Sequence, residues 1–261
     1  MSDRTRKFNV FQRLWDRPQW VGPAVILLLW YTVYHLNLAN RVLLPDVFET
    51  LTHLVRMVYT GNILSDYGET LGRMSLGYAI AALVGIPLGV CLGSWKKGYA
   101  SFEVVLEFFR SLPVTTLYPL FVLFFGIGHQ SKIAMVVAAC VFVIILNSAY
   151  GVLHAKQTRL QVAQVFGASR WQVFREILLF ESLPQTIIGL RVAMSYALIV
   201  EIVCEMFMGA QRGIGQRVYE AYNTYDIVEL YAIIILVGLT GYGINKLFVA
   251  IERPFTHWVG K

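Results

Sequence analysis

The chain has 261 residues, of which 57% are hydrophobic and only 15% are charged, and its mean hydropathy is +0.58. Soluble domains carry about 25% charged residues, so this composition excludes a soluble enzyme and indicates an integral membrane protein. The formal net charge of +6 is not gathered into a dense basic stripe, which argues against nucleic acid as a partner. Cys91, Cys140 and Cys204 stand in apolar stretches without CxxC spacing, and they predict buried thiols and neither a disulfide framework nor a metal site.

Six segments are apolar enough to cross a membrane as helices, for which about 20 residues are needed. They predict an all-α fold and a polytopic membrane protein. The predicted transmembrane domain covers residues 20–261 and includes a polar loop over 156–184. The predicted spans are 20–38, 74–92, 104–127, 133–153, 186–208 and 230–251.

The distribution of basic residues predicts how the chain is oriented. Six spans place both termini on the same side, and most of the 22 lysines and arginines flank the span ends on that side. Because lysine and arginine favour cytoplasmic segments, we expect both termini in the cytoplasm, with 1–19 as a cytoplasmic segment. The basic residues of that segment are Arg4, Arg6, Lys7, Arg13 and Arg17.

Between the first two spans, Asp46 follows Pro45 and is a plausible start for a helix. Apolar residues then recur at helical spacing up to Val58, which predicts an amphipathic helix on the outer surface. An ordinary loop helix without a function is the alternative.

The third span contains Pro113, which should break the helix. Freed carbonyl groups near Arg110 and Pro113 could line a pathway, although a simple packing kink explains the proline equally well. Beyond the break, Tyr118 and Pro119 either narrow the outer half of a pathway or pack against neighbouring helices.

The loop over 156–184 is polar but has a helical pattern. A first short helix should end at Gly167, because glycine adopts the left-handed turn of a helix C-terminus at no cost. Ser169 and Gln172 have the spacing of a capping box for a second helix, and Pro184 should end that helix. Such a rigid cytoplasmic knob suits insertion into a groove of a partner protein; a merely structural linker is the alternative.

Glu201 and Glu205 interrupt the fifth span, and their i, i+4 spacing places them on one face of the helix. A charged group within a span costs about 3 kcal/mol, so such residues face protein or a water-filled cavity. They could line the translocation cavity or its outer gate, pair with a base on a neighbouring helix, or lie near the outer interface. If both were ionised and faced a pore, they would repel anions.

Around Gly167 the sequence resembles the permease subunit of binding-protein-dependent ABC importers, whose signature reads E-A-A, three residues, G, nine residues, I-x-L-P. Three further motifs, in the same order, resemble the nitrate/sulfonate/taurine branch: Leu43-Leu44-Pro45, the stretch 119–132, and Glu205 ahead of Gly213-Ile214-Gly215. The signature is matched at Ala163, Gly167, Ile177 and Leu179, and the sequence departs from it at Gln161, Val162 and Phe180.

The resemblance implies a type I ABC importer permease fold with a cytoplasmic coupling helix, in a bacterial cytoplasmic (inner) membrane. Two copies would form the pathway, most simply as a homodimer, and a periplasmic or lipid-anchored solute-binding protein would deliver the solute from outside. Two ATPase subunits would dock on Gln161, Val162, Ala163, Gly167, Ala168, Ser169 and Trp171. The pathway would include Tyr118, Pro119, Glu201 and Glu205, and the binding protein would contact His129, Arg212 and Arg217.

The chain carries no G-x-x-x-x-G-K-[ST] phosphate loop. We therefore expect it to be a transport subunit without a cofactor of its own, with ATP and Mg bound by the partner ATPase. The branch implies a small anion as solute, such as a sulfonate, taurine, nitrate or a bicarbonate-like ion. The alternatives are a neutral or cationic vitamin or pyrimidine precursor carried by the same machinery, and a self-contained secondary transporter.

Overall fold

The computed structural model describes the backbone of residues 20–256 and the side chains of residues 20–252. In this part of the chain every regular element is a helix, which confirms the predicted all-α fold. The predicted segment 1–19 lies outside the described residues. The helices are α1 (Val21–His35), α2 (Val47–Tyr59), α3 (Leu64–Ser94), α4 (Lys96–Ser111), α5 (Tyr118–Phe125, after a 3-10 turn over Val114–Leu117), α6 (His129–Leu153), α7 (Gln157–Val165), α8 (Arg170–Phe207), α9 (Ile214–Asn223) and α10 (Ile227–Thr256).

Among the described residues, four helices are long and apolar enough to cross a membrane, namely α3, α6, α8 and α10. The third predicted span is not one straight helix. It consists of α4 and the segment Val114–Phe125, which meet at an angle of 86°. The break falls at Leu112 and Pro113, where proline was expected to end the helix. The first predicted span is a shorter apolar helix of 15 residues, α1.

The second predicted span begins too late in the chain. We expected it at residue 74, but α3 starts at Leu64 and is 31 residues long. Its first turns carry the charged residues Asp66, Glu69 and Arg73, and the predicted span begins only after them. All three residues form ion pairs within the protein, as described below.

Helices α3, α6 and α8 form the core. Small residues recur every four positions along the face of α3 that meets α6, including Gly77, Ala81, Gly85 and Gly89. A Cβ atom at Gly89 would lie only 2.5 Å from the carbonyl oxygen of Ile145 on α6. This stripe therefore lets the two backbones approach closely, which is how membrane helices gain packing energy without a hydrophobic driving force.

Pro184 does not end the helix that precedes it, contrary to our expectation. α8 contains a π-helical turn over Val173–Leu178 and then continues through Pro184 up to Phe207. Ser182 is buried in this segment, and its backbone packs directly against Gly151 of α6. Packing against a neighbouring helix holds the chain helical on both sides of the proline, as is common in membrane helices.

The predicted amphipathic helix is confirmed as α2. Asp46 caps it, because its carboxylate accepts hydrogen bonds from the backbone N–H groups of Phe48 (2.8 Å) and Glu49 (3.1 Å). Leu54 and Met57 bury its apolar face in a second hydrophobic cluster that also contains residues of α9 and α10.

Candidate functional site

The segment that follows α6, called the Gly167 loop here (residues 156–178, comprising α7 and the first turns of α8), is built around a Schellman turn. Gly167 has a φ of +71°, its N–H group donates to Gln164 O (3.0 Å), and the next N–H, of Ala168, donates to Ala163 O (2.9 Å). The predicted capping box follows: Ser169 Oγ accepts from Gln172 N–H (3.3 Å), and Gln172 Oε1 accepts from Ser169 N–H (2.8 Å). Both local predictions are confirmed.

The Gly167 loop presents apolar side chains to its surroundings. Phe166 is 84% exposed, and Trp171, which stacks on Phe174 with ring centroids 5.6 Å apart, is 67% exposed. The loop is tied to α8 by an ion pair between Arg159 and Glu181. Of the residues predicted to dock the ATPase, Gln161, Val162, Gly167, Ser169 and Trp171 are exposed, Ala168 is half-buried and Ala163 is buried.

The Gly167 loop lies at one end of the core helices, because Gln157 and Gln164 line a small cavity with Gly93 of α3 and Val152 of α6. The opposite end of the same helices holds a buried polar cluster. Its members come from α3, α8, α9 and the start of α6, and they include the two glutamates singled out from the sequence.

Arg73 of α3 lies at the centre of this polar cluster and binds both glutamates. Its Nε atom donates to Glu201 Oε1 (2.7 Å), and its Nη2 atom donates to Glu205 Oε1. Nη2 also donates to the carbonyl oxygen of Arg212 (3.0 Å), and Nη1 to Glu69 Oε2 (3.3 Å). Both glutamates have no exposed surface, so this is a buried ion-pair network within one chain. Glu201 Oε2 has no hydrogen-bond partner among the described residues.

The motif Gly213-Ile214-Gly215 wraps around the other side of Glu205. Glu205 Oε2 accepts from the N–H group of Gly215 (2.7 Å) and from Thr70 Oγ1 (3.0 Å), while Thr70 Oγ1 accepts from Ile214 N–H (2.9 Å). Gly213 has a φ of +147°, and a Cβ atom there would collide with the Glu205 carboxylate. The carboxylate therefore satisfies the free N–H group of Gly215 at the start of α9, where the helix dipole favours a negative charge.

A second ion pair links the same elements nearer the surface. Arg217 of α9 donates from Nε to Asp66 of α3, and its Nη1 atom lies 3.3 Å from Glu229 of α10. Asp66 also accepts from the backbone N–H of Gly213 (3.2 Å). Together the two ion-pair groups lock α3, α8, α9 and α10 to one another at this end of the molecule.

The other residues predicted for the pathway or for binding-protein contact take various positions. Tyr118 donates its hydroxyl to Phe207 O (3.1 Å), and Pro119 is exposed in the first turn of α5. His129 is exposed, with Nδ1 3.2 Å from Arg73 Nη1, and Arg212 is exposed in the loop before α9. The roles assigned to these residues, and to Glu201, Glu205 and Arg217, remain predictions.

A cavity with a volume of about 750 Å³ lies beside the break between α4 and α5. Arg110 and Pro113 border it on one side, and α6 and α8 on the other. Asn147 and Gln185 contribute polar groups, joined by a hydrogen bond of 3.1 Å. None of the four residues predicted for the pathway is among its lining residues.

Sequence reasoning missed Arg73, Asp66 and Thr70. The available signal was the run of charged residues at helical spacing, Asp66, Glu69 and Arg73, just ahead of a long apolar segment. Pairing with the glutamates was one of the alternatives considered, but the position of the base could not be derived from one helix alone.

The family model described as "Binding-protein-dependent transport system inner membrane component" matches residues 81–259. The chain belongs to this family. It is 28% identical to the taurine transport system permease protein TauC of Escherichia coli over 243 residues, which cover 91% of this chain and 88% of TauC. It is 26% identical to the nitrate import permease protein NrtB of Synechocystis sp. over 238 residues, which cover 89% of this chain and 86% of NrtB. The predicted assignment to the nitrate/sulfonate/taurine branch of ABC importer permeases is therefore confirmed.

The fold is also that of solved importers. The permease resembles a chain of the inward-facing MetNI methionine ABC transporter with a TM-score of 0.66 and 22% identity, covering 77% of this chain and 98% of that one. The predicted type I importer permease fold is confirmed by this likeness, and the chain is a multi-pass membrane transport subunit.

Proposed function

We propose that this permease forms the membrane pathway of an ATP-driven importer as a dimer, and that a separate ATPase subunit docks on each Gly167 loop. The observation that carries the proposal is the exposed apolar surface of this loop, because Val165, Phe166 and Trp171 are all exposed on either side of a hydrogen-bonded turn. Large aromatic side chains of this kind, held in one conformation, are the usual anchors of a protein interface. ATP and Mg bind to that partner, and this chain supplies no catalytic group.

The Gly167 loop can transmit a motion because it is stiff. Helix α7 and the first turns of α8 are joined by a fixed turn, and Arg159 holds α7 to Glu181 further along α8. Displacement of the loop by the ATPase is therefore passed to α8, which runs the full length of the molecule to the polar cluster. Rigid-body movement of packed helices is a common form of such switching.

The cavity beside the break in the third span is our candidate for this chain's half of the pathway. It lies at mid-length of α6 and α8 and combines apolar walls with the amide groups of Asn147 and Gln185. The ion pair between Arg110 and Glu107 also borders it. Two such cavities facing each other across a dimer axis would enclose a solute. Tyr118, Pro119, Glu201 and Glu205 then support the outer end of the pathway and do not line this cavity.

The solute we propose is a small anion, such as a sulfonate, taurine, nitrate or a bicarbonate-like ion. The names of the relatives support this class. The objection that two ionised glutamates would repel anions is removed, because both are buried and paired with Arg73. A periplasmic or lipid-anchored binding protein delivers the anion to the outer face, where His129, Arg212 and Arg217 are its proposed contacts, and both termini lie in the cytoplasm.

Uptake into membrane vesicles tests this function. Vesicles carrying the complete transport system are loaded with or without ATP and given radiolabelled taurine, methanesulfonate or nitrate, with the binding protein outside. We expect at least one of these anions to accumulate only when ATP is inside. Accumulation without nucleotide would favour a secondary transporter, and ATP-dependent uptake of a pyrimidine precursor but of no anion would contradict the proposed solute class.

A further inference from the structure

A second, smaller cavity of about 360 Å³ opens at the end of the molecule that carries the polar cluster. It lies between the start of α6, the first turns of α3 and the loop before α9. Three of its lining side chains, Arg73, Lys132 and Arg212, are cationic, and one, Glu69, is acidic. Glu201 and Glu205 are behind Arg73 and do not line it.

Lys132 is the unusual member of this cavity. Its side chain is only 2% exposed, yet its ammonium group makes a single hydrogen bond, to the carbonyl oxygen of Gly128 at 3.2 Å. Among the described residues no carboxylate lies within 4 Å of it, although an ammonium group has three hydrogens to donate. Glu201 and Glu205 balance its charge from behind Arg73, but the ammonium hydrogens that make no bond to the protein remain free to donate to a ligand.

The position of Lys132 in its helix adds further positive potential to the cavity. It lies in the first turns of α6, whose free N–H groups and positive dipole end point towards the same cavity. The first turn of α6 contains no acidic residue, so nothing in that helix offsets the two positive contributions. At Gly128, which precedes the helix, no other part of the chain lies within 4 Å of the position that a Cβ atom would take.

Arg73 and Arg212 differ in what they can offer a ligand. The Arg73 donors are already occupied by Glu69, Glu201, Glu205 and the Arg212 carbonyl group. The guanidinium group of Arg212 is exposed at the rim and has no ion-pair partner among the described residues. A cation at the rim and a cation at the base, at the positive end of a helix, are a favourable arrangement for a small anion.

We infer that this cavity binds one small monovalent oxyanion, held by the Lys132 ammonium group at its base and by Arg212 at its rim. The volume exceeds that of a nitrate or methanesulfonate ion, and the ammonium hydrogens of Lys132 that the described residues leave unused can donate to the anion. The inference rests on the proposed function for the class of solute, since the site would receive the anion at the outer end of the pathway.

Calorimetric titration of the purified full-length chain in detergent, without ATP or any partner, tests this site. The probes are sodium methanesulfonate and sodium nitrate, with uncharged dimethyl sulfone as the neutral counterpart of methanesulfonate, all at constant ionic strength. We expect saturable binding of both anions and none of the sulfone. Because a charge-assisted hydrogen bond is lost, Lys132→Met should weaken binding at least about tenfold, whereas Lys132→Arg should retain most of it.

Two further variants make the result decisive. Arg212→Gln changes an exposed residue, so it tests the site even if Lys132→Met does not fold, and it should weaken binding severalfold. Lys97→Met removes an exposed lysine at the other end of the core helices and should leave the affinity unchanged. Absence of saturable binding, equal binding of the sulfone, or unchanged affinity in Arg212→Gln or in a folded Lys132→Met would overturn the inference. Since ATP and the ATPase are absent from the assay, failure here is distinct from failure of the proposed ATPase docking.

Discussion

Replacement of Arg73 by methionine is the perturbation for which the structure gives the clearest magnitude. Methionine keeps an unbranched apolar stem but removes the guanidinium group, leaving Glu201 and Glu205 buried without their common partner. Removing one member of a buried ion pair costs about 3–5 kcal/mol. At about 2–4 °C of melting temperature per kcal/mol for a chain of this size, the expected loss is on the order of 10 °C.

The assay is thermal unfolding of the purified permease in a single detergent, followed by circular dichroism. Arg110→Met is the matched control, because Arg110 forms an exposed i, i+3 pair with Glu107 that is worth only about 0.3–0.5 kcal/mol. Combining Arg73→Met with Glu201→Leu and Glu205→Gln should recover part of the loss, since the unpaired charges are then gone. If Arg73→Met lowers the melting temperature no more than Arg110→Met does, the polar cluster is not the stabilising element described here.

Three other changes have expected outcomes of different kinds. Gly89→Ala should destabilise the chain by about 1–3 kcal/mol, because the added methyl group meets backbone of α6, whereas Gly72→Ala on the same helix meets open space and should be neutral or stabilising. Gly167→Val should abolish stimulation of the partner ATPase while the chain still inserts, since valine resists a φ of +71°; Gly167→Asn should be tolerated. Glu205→Gln should cost less stability than Arg73→Met, because an amide oxygen still accepts from the start of α9 and Arg73 keeps Glu201.

Each of these outcomes has a result that would contradict it. Equal melting temperatures for Gly89→Ala and Gly72→Ala would mean that the close approach of α3 and α6 is not tight. Normal ATPase stimulation by Gly167→Val, measured in reconstituted vesicles, would separate the Gly167 loop from coupling. A larger loss for Glu205→Gln than for Arg73→Met would mean that the contacts of Glu205 with α9 outweigh its ion pair.

The parts of the fold that depend on local rules could be predicted from the sequence. The capping box at Ser169, the left-handed turn at Gly167 and the cap at Asp46 each involve residues no more than five positions apart, so residue type and spacing are enough to specify them. The break at Pro113 is of the same kind, because proline lacks the N–H group that the helix needs.

The rest depended on contacts between distant segments. The i, i+4 spacing of Glu201 and Glu205 fixes their common face, but the residue that meets this face, Arg73, lies 128 positions away from Glu201. Pro184 was expected to end a helix from its own chemistry, yet packing against α6 keeps the helix intact. The cavity around Lys132 is likewise formed by three segments that are far apart in the chain, so no single motif predicts it.

Docking of the ATPase on the Gly167 loop is tested most directly by purifying the tagged permease from its native membrane and identifying the proteins that accompany it by mass spectrometry. We expect an ATP-binding subunit to be recovered with the unchanged chain and to be lost with Phe166→Ser. The matched control is Tyr59→Ser, which alters a side chain that is 91% exposed at the C-terminus of α2 and should leave recovery unchanged. Recovery of the permease without any ATP-binding subunit, or equal recovery with Phe166→Ser, would contradict the central claim.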